Sequence, residues 1–161
     1  NIMVGYFKNP KETDNIIKVH ADGKKWIHTG DLGSVNQDGF LSFRGRIKKI
    51  YLTKGSDNSV YKLFPMQIEN ELEKIEDILE CGTIVVPDQE KIHVAIAFVR
   101  VKVGLEKETV RGKILEFARI HLPEHAIPKK IMLIEKMPYT QSNKIDYKKL
   151  EEKYQKENDG V

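Results

Sequence analysis

Cys81 is the only cysteine in 161 residues. A single thiol excludes an internal disulfide framework and fits a reducing cytoplasm. Long apolar runs are also missing: no stretch approaches the roughly 20 residues that a membrane-spanning helix needs. The opening Asn1-Ile2-Met3-Val4-Gly5-Tyr6-Phe7 lacks the basic start and small-residue cleavage site of a secretory signal. It also lacks an initiator methionine, so a piece of a longer protein is expected. Neither charge sign dominates. Lys and Arg number 27 against 24 Asp and Glu, and the net charge of +3 does not by itself imply nucleic acid. What is present is a charged, soluble-type composition, with 32% charged residues and 8% aromatic. That is enough chain for one domain, or for one domain and part of another.

The texture changes along the chain. Residues 1–46 are rich in Gly, Asn and Asp and read as short strands joined by turns. Trp26-Ile27-His28-Thr29 leads into Gly30-Asp31-Leu32-Gly33-Ser34-Val35. Asn36-Gln37-Asp38-Gly39 then turns the chain, and Phe40-Leu41-Ser42-Phe43 returns as the second strand of a hairpin. This segment has too little apolar side chain for a core of its own, so it is expected to be the edge of something larger.

Residues 47–64 form a transition of two short strands around the polar Lys54-Gly55-Ser56-Asp57-Asn58-Ser59. From Pro65 onward the pattern is α+β. Pro65 suits a first helical turn, and Ile68, Leu72, Ile75 and Leu79 draw one apolar stripe. Gly82-Thr83-Ile84-Val85-Val86 reads as a buried strand, turned by Pro87-Asp88-Gln89-Glu90. Ile92, Val94, Ile96 and Phe98 alternate, after which Val99, Val101 and Val103 carry the apolar face. A bulge near Phe98 is expected from that phase change. Val110, Ile114, Phe117 and Ala118 mark a second helix closed by Pro123, and Lys130–Ile134 a third strand. Asp146 is the expected N-cap of a last helix through Tyr147, Leu150 and Tyr154. The polar tail after Glu157 is expected to fray.

Five segments in order resemble the carboxy-terminal part of the adenylate-forming enzymes, the superfamily of acyl-CoA synthetases, amino-acid adenylation domains and luciferases. Met3-Val4-Gly5-Tyr6-Phe7-Lys8-Asn9-Pro10-Lys11-Glu12-Thr13 resembles M-x-G-Y-x-x-N-P-x-x-T, and Trp26-Ile27-His28-Thr29-Gly30-Asp31 resembles W-x-x-T-G-D. Gly45-Arg46-Ile47-Lys48 resembles the hinge motif G-R-x-D/K. Tyr61–Glu69 resembles Y-R-I-x-P-x-E-I-E, and Pro138–Ile145 resembles P-x-T-x-x-G-K-I. Each motif alone is weak; their order and intervals carry the resemblance.

The resemblance implies a fold and a division. Residues 1–46 would be the terminal β segment, a β-hairpin remnant, of the large AMP-binding domain. Residues 47–161 would be the α+β lid domain, a three-stranded sheet packed with helices, with the hinge near Lys48. It implies a reaction in which a carboxylate attacks the α-phosphate of ATP, giving an acyl-adenylate and pyrophosphate. A thiol, of CoA or of a carrier protein's phosphopantetheine, then displaces AMP. Mg would accompany ATP in the full-length enzyme.

It also implies roles. Asp31 would accept hydrogen bonds from the two ribose hydroxyls, a diol suiting a two-oxygen acceptor. A plain turn aspartate is the alternative. Arg46 would contact ribose or phosphate with its fixed fork of donors, rather than being a surface arginine. Lys48 would be the hinge, where the backbone matters more than the side chain. Lys144 would be the adenylation lysine, its compact ammonium offsetting the charge that builds at the α-phosphate. One solvated lysine among 27 basic residues is the alternative. Asn143 stands where the family usually has glycine, and asparagine tolerates the left-handed region. Gly55 matches the glycine of the loop that approaches the pantetheine thiol. Beside it, Leu52 replaces a frequent lysine, and Ser56–Val60 looks like an insertion.

Some signals carry less. His121-Leu122-Pro123-Glu124-His125 fits an inverted zinc-peptidase pattern, but Pro123 interrupts the helix that would align the histidines. Glu69, Glu71, Glu73, Glu76 and Asp77 read as a solvated helix face. Lys148, Lys149 and Lys153 lack an accompanying aromatic platform.

The family's Ser/Thr/Gly-rich phosphate loop and Y-G-x-T-E segment are absent, so the chain alone is expected to be inactive, with the missing N-terminal domain as its partner. Two other readings stand beside this one: a non-catalytic module binding a carrier protein or partner ligase, and a basic nucleic-acid-binding α+β domain. The stretch Asn143–Asp146 slightly resembles amino-acid-activating members, including D-alanine–carrier protein ligases.

Overall fold

The computed structural model describes residues 2–158, apart from the side chain of Arg44. Most of the tail expected to fray lies outside the described residues. The chain divides into two compact units after Lys48.

The first unit begins with a helix that the strand-and-turn expectation missed, α1 (Pro10–Ile16). Its start is built locally. The Asn9 side chain accepts the Glu12 N–H at 3.1 Å, and Pro10 occupies the first turn, where an N–H would be unpaired anyway. The Thr13 hydroxyl donates to the Asn9 carbonyl and accepts the Tyr6 N–H, both at 2.9 Å. A Cβ on Gly5 would lie 2.8 Å from Thr13 Cγ2, so the turn closes only over glycine. The M-x-G-Y-x-x-N-P-x-x-T resemblance therefore corresponds here to a self-contained helix cap. Two antiparallel hairpins follow, β1 (Ile17–Val19) with β2 (Lys25–Ile27) and β3 (Asp31–Val35) with β4 (Leu41–Arg46). Asn36 Oδ1 accepts from the N–H groups of Asp38 and Phe40 and so shapes the expected turn of the second hairpin. Among the described residues of this unit only Gly45 is buried. Phe7, Trp26, Phe40, Leu41 and Phe43 stand exposed, in keeping with the small apolar content read from the sequence.

The second unit holds the core. A short hairpin, β5 (Tyr51–Lys54) and β6 (Val60–Leu63), leads into α2 (Pro65–Leu72). The main sheet has the order β7 (Ile78–Asp88), β8 (Ile92–Val101), β9 (Lys130–Leu133). β7 and β8 are antiparallel. β9 runs parallel to β8 after a crossover through α3 (Lys107–His121), whose start is capped by the Glu106 carboxylate. The last element is α4 (Tyr147–Asn158).

The central strand β8 is covered on both faces. Ala95, Ala97 and Val99 pack with Ile68 and Leu72 of α2 and Ile114 and Ala118 of α3. Ile96 and Phe98 pack with Met132, Met137 and Leu150 of α4. Burying each such large side chain stabilises by about 1.5–3 kcal/mol. This arrangement corrects two expectations. The phase change near Phe98 is no bulge: the register through Phe98 is regular, and the shift falls between Ile78 and Glu80 on β7. Both faces of a doubly covered strand are apolar, which erases the alternation. The apolar stripe after Pro65 also ends early. α2 stops at Leu72, and Leu79 lies exposed on β7.

Candidate functional site

Lys144 projects from a tight turn between the sheet and α4. Residues Tyr139 and Ile145 pair as an isolated antiparallel bridge. Inside it, the Thr140 N–H donates to the Lys144 carbonyl at 2.8 Å and the Asn143 N–H to the Thr140 carbonyl at 3.0 Å. Asn143 has φ of 56°, the left-handed geometry its side chain tolerates. The turn is braced at both ends. Met137 is buried under the sheet, the Asp146 N–H donates to the Pro138 carbonyl at 2.9 Å, and Ile145 packs on the α4 side of the core. Asp146 then caps α4 as expected, its carboxylate accepting the Lys149 N–H at 3.2 Å. The Lys144 side chain itself is exposed, and no described carboxylate lies within ion-pair distance of it.

Behind this turn lies a group the sequence reading missed. Glu69 was counted on a solvated acidic face, but it is 9% exposed. Its carboxylate accepts the Thr83 N–H at 2.7 Å and the Tyr147 hydroxyl at 3.0 Å. Burial pushes the Glu69 carboxyl up, against the opposing hydrogen bonds and the Lys49 charge. Burial and the adjacent Glu69 also push the Tyr147 hydroxyl up, so it remains a donor. The Lys49 ammonium sits 3.6 Å from the centroid of the Tyr147 ring. Glu73 is likewise engaged, its carboxylate accepting the Cys81 N–H. The signal available was position: Glu69 lies three residues before the buried Leu72, nearly one turn along the same face of α2, so the acidic run is not uniformly outward.

Asp31 and Arg46 come together in the first unit as an exposed cross-strand pair, Nε to Oδ1 3.1 Å. The Asp31 N–H also donates to Thr29 Oγ1. Lys48 lies exposed in the 3-10 turn Ile47–Lys49. Its neighbours on either side are held: the Ile47 N–H donates to the Gly30 carbonyl at 2.8 Å, and Lys49 rests on Tyr147.

Gly55 is buried at the start of the loop between β5 and β6. A Cβ there would meet Tyr61 Cε2 at 2.7 Å and Asp57 Oδ1 at 2.8 Å, which gives glycine a packing reason at this position. Tyr61 donates to Asp57 at 2.8 Å, and Ser56 donates to Glu124 at 2.7 Å, tying the inserted residues down while they stay exposed. His125 stacks on Tyr61 at 4.4 Å, whereas His121, the last residue of α3, stacks on Phe117 at 4.1 Å. The two histidines of the H-x-x-E-H string thus belong to different ring pairs. Among the described residues no group of three His, Cys, Asp or Glu side chains is arranged to hold a metal ion. No described helix is long and apolar enough to cross a membrane.

Residues 67–144 match the family of AMP-binding enzyme C-terminal domains. The chain is 32% identical over 145 residues to a 2-methylpropanoate–CoA ligase of Humulus lupulus, covering 90% of this chain and 24% of that protein. Among solved structures, ATP-bound MatB from Rhodopseudomonas palustris aligns with a TM-score of 0.77 at 26% identity, over 96% of this chain and 28% of that one. The amide bond synthetase McbA from Marinactinospora thermotolerans aligns with a TM-score of 0.76 at 25% identity, over 92% and 28%. The chain therefore spans about a quarter of the length of the curated relatives it matches. The match covers the three-stranded sheet, most of α2, all of α3 and the turn up to Lys144, and stops before α4. With the three-stranded α+β architecture around that turn, it establishes that the chain belongs to the adenylate-forming enzymes and carries their C-terminal domain.

Proposed function

We propose that this chain supplies the lid of an ATP-dependent, AMP-forming ligase that activates a carboxylate as its acyl-adenylate, with Lys144 as the catalytic cation. The observation that supports it best is the turn around Lys144. Its backbone is braced on the sheet and on α4, while the ammonium is exposed and free of any described acidic partner. A cation so placed is available for charge that develops on another body. In water-poor surroundings such a contact is worth far more than at a surface.

The remaining assignments follow the same reading. Asp31 accepts from the ribose hydroxyls, and Arg46 supplies donors to ribose or phosphate. Both side chains are exposed and already lie within one contact of each other, which suits joint recognition of one nucleotide. Mg accompanies the ATP and offsets phosphate charge when bound. Lys48 is the hinge, and the division of the chain after it supports that choice. The acceptor is the thiol of CoA, in keeping with relatives named as CoA ligases, and Gly55 lies at its approach. The same names favour an acyl acid over an amino acid, and CoA over a carrier-protein phosphopantetheine.

The test uses the full-length protein that contains this chain. Lys144→Ala is expected to lower carboxylate-dependent pyrophosphate exchange by about a hundredfold or more, the scale of a lost transition-state charge contact. Transfer of a supplied acyl-adenylate to CoA is expected to persist. Equal loss of both half-reactions would remove Lys144 from its assigned role.

A further inference from the structure

Three parts of the second unit meet at one side chain, Tyr147. It stands half-buried at the start of α4, and its hydroxyl lies 3.0 and 3.1 Å from the two oxygens of the Glu69 carboxylate, to which it donates. Glu69 is fixed in turn from β7, because its Oε1 accepts the Thr83 N–H at 2.7 Å. On the ring of the same tyrosine rests the Lys49 ammonium, 3.6 Å from the centroid. Tyr147 therefore ties the 3-10 turn Ile47–Lys49 and α2 to the first turn of α4.

Packing alone does not ask for these contacts. Tyr147 lies against the core around Phe98 and Leu150, where a phenylalanine ring would fill the same apolar space. The hydroxyl is instead directed at a carboxylate that is 9% exposed and has few other donors to meet. The chain from Lys144 to Tyr147 has little slack. Ile145 packs on the same core, and the Asp146 N–H donates to the Pro138 carbonyl at 2.9 Å. Displacing Tyr147 therefore displaces Lys144.

The contact with Lys49 reaches the proposed hinge. Lys48 has an anchored neighbour on each side, Ile47 through its N–H to the Gly30 carbonyl and Lys49 through the Tyr147 ring. The chain divides into its two units after Lys48. Rotation about Lys48 would then carry Lys49, Tyr147 and Lys144 as one piece.

We propose that Tyr147 is a positioning residue for Lys144: held by Glu69 and carrying Lys49, it fixes the reach of the Lys144 ammonium from the hinge. This rests on the function proposed above and adds to it what sets the place of the cation.

The experiment uses the full-length protein that contains this chain and follows pyrophosphate exchange and the transfer of a supplied acyl-adenylate to CoA. Tyr147→Phe keeps the ring under Lys49 and removes the hydroxyl. It is expected to lower kcat for exchange about tenfold, the scale of a small misplacement of a catalytic group, while KM for ATP and the transfer step change less than about twofold. Lys49→Met alters an exposed side chain and is expected to lower kcat for exchange about threefold. Lys49→Arg restores it, since a guanidinium also stacks on the ring. The deciding comparison is made in the Lys144→Ala background. A residue that acts through Lys144 has nothing left to position there, so Tyr147→Phe is expected to cause no further loss of exchange. The same loss in both backgrounds, or a fall in exchange and transfer together, means that Tyr147 only supports the fold and overturns the proposal. So does a Tyr147→Phe protein that exchanges as the parent does. Should Tyr147→Phe not fold, the Lys49 variants decide: Lys49→Met as active as the parent, or Lys49→Arg as impaired as Lys49→Met, overturns it. Normal exchange by Lys144→Ala alone is a separate result, which removes the cation from catalysis and this proposal with it.

Discussion

Asp31 and Arg46 stand directly opposite each other across β3 and β4, with Arg46 Nε 3.1 Å from Asp31 Oδ1. Two residues that the sequence offered as separate nucleotide contacts are thus one charged pair before any ligand is considered. The pair is exposed, so its own stabilisation is small, on the order of 0–1 kcal/mol. Its value on the proposed reading is orientation. The arginine fixes one carboxylate oxygen, and the cross-strand register fixes the distance between acceptor and donors.

Asp31→Ala should therefore separate stability from nucleotide binding. Unfolding of the chain by urea is expected to change by less than about 1 kcal/mol. In the full-length protein KM for ATP is expected to rise about ten- to a hundredfold, the scale of lost charge-assisted hydrogen bonds. An unchanged KM, with the protein folded, would end the ribose assignment.

The sequence made the second unit legible where one face of an element is buried and one is wet. The α3 stripe of Val110, Ile114 and Ala118 and the Asp146 cap are both found where they were expected. Reading failed where that asymmetry vanishes. β8 is apolar on both faces because helices cover both, and no local pattern distinguishes that from a bulge. α1 was missed because its stability lies in Asn9, Pro10 and Thr13 rather than in a hydrophobic stripe. The site shows the same limit. Lys144 was visible through its motif, but the buried Glu69 beneath Tyr147 was not, since its partners are 14 and 78 residues away.

Asn143 gives a local test of the Lys144 turn. Its φ of 56° costs most residues about 1 kcal/mol or more, and asparagine less. Asn143→Ala is expected to lower stability by about 1 kcal/mol, while Asn143→Gly stays within a few tenths, both read from urea midpoints. Equal stability of the Ala and Gly chains would show that the turn does not hold this geometry in solution.

Gly82 connects the turn to the sheet. A Cβ there would lie 2.9 Å from Leu150 Cδ1 and 3.3 Å from Ile145 Cγ2. α4 and the residue after Lys144 thus both rest on a position without a side chain. Gly82→Ala is expected to cost about 1–3 kcal/mol by overpacking. It should also speed amide hydrogen exchange in residues 140–146 more than in α3. A uniform change across the unit would argue that Gly82 serves the core but not the turn.

Glu69 makes a prediction whose sign runs against the usual carboxylate behaviour. Burial outweighs its hydrogen bonds, so the folded carboxyl holds its proton more tightly than the unfolded one, whose ordinary value is 4.5. Between 4.5 and the raised folded value the native state binds more protons, and stability must fall as pH rises through that window. Below the window the full contribution is present; above it the loss is complete. Glu69→Gln keeps an oxygen for the Thr83 N–H and the Tyr147 hydroxyl but does not titrate. Urea unfolding of both chains across this range is expected to show the parent losing stability relative to Glu69→Gln as pH increases. Tyr147, three residues beyond Lys144, gives its hydroxyl to Glu69 and carries Lys49, next to the proposed hinge, on its ring, so the ionisation of Glu69 also bears on how firmly those two are held. Parallel stability curves for the two chains would mean that Glu69 is solvated in solution. Tyr147 would then not close over it in solution.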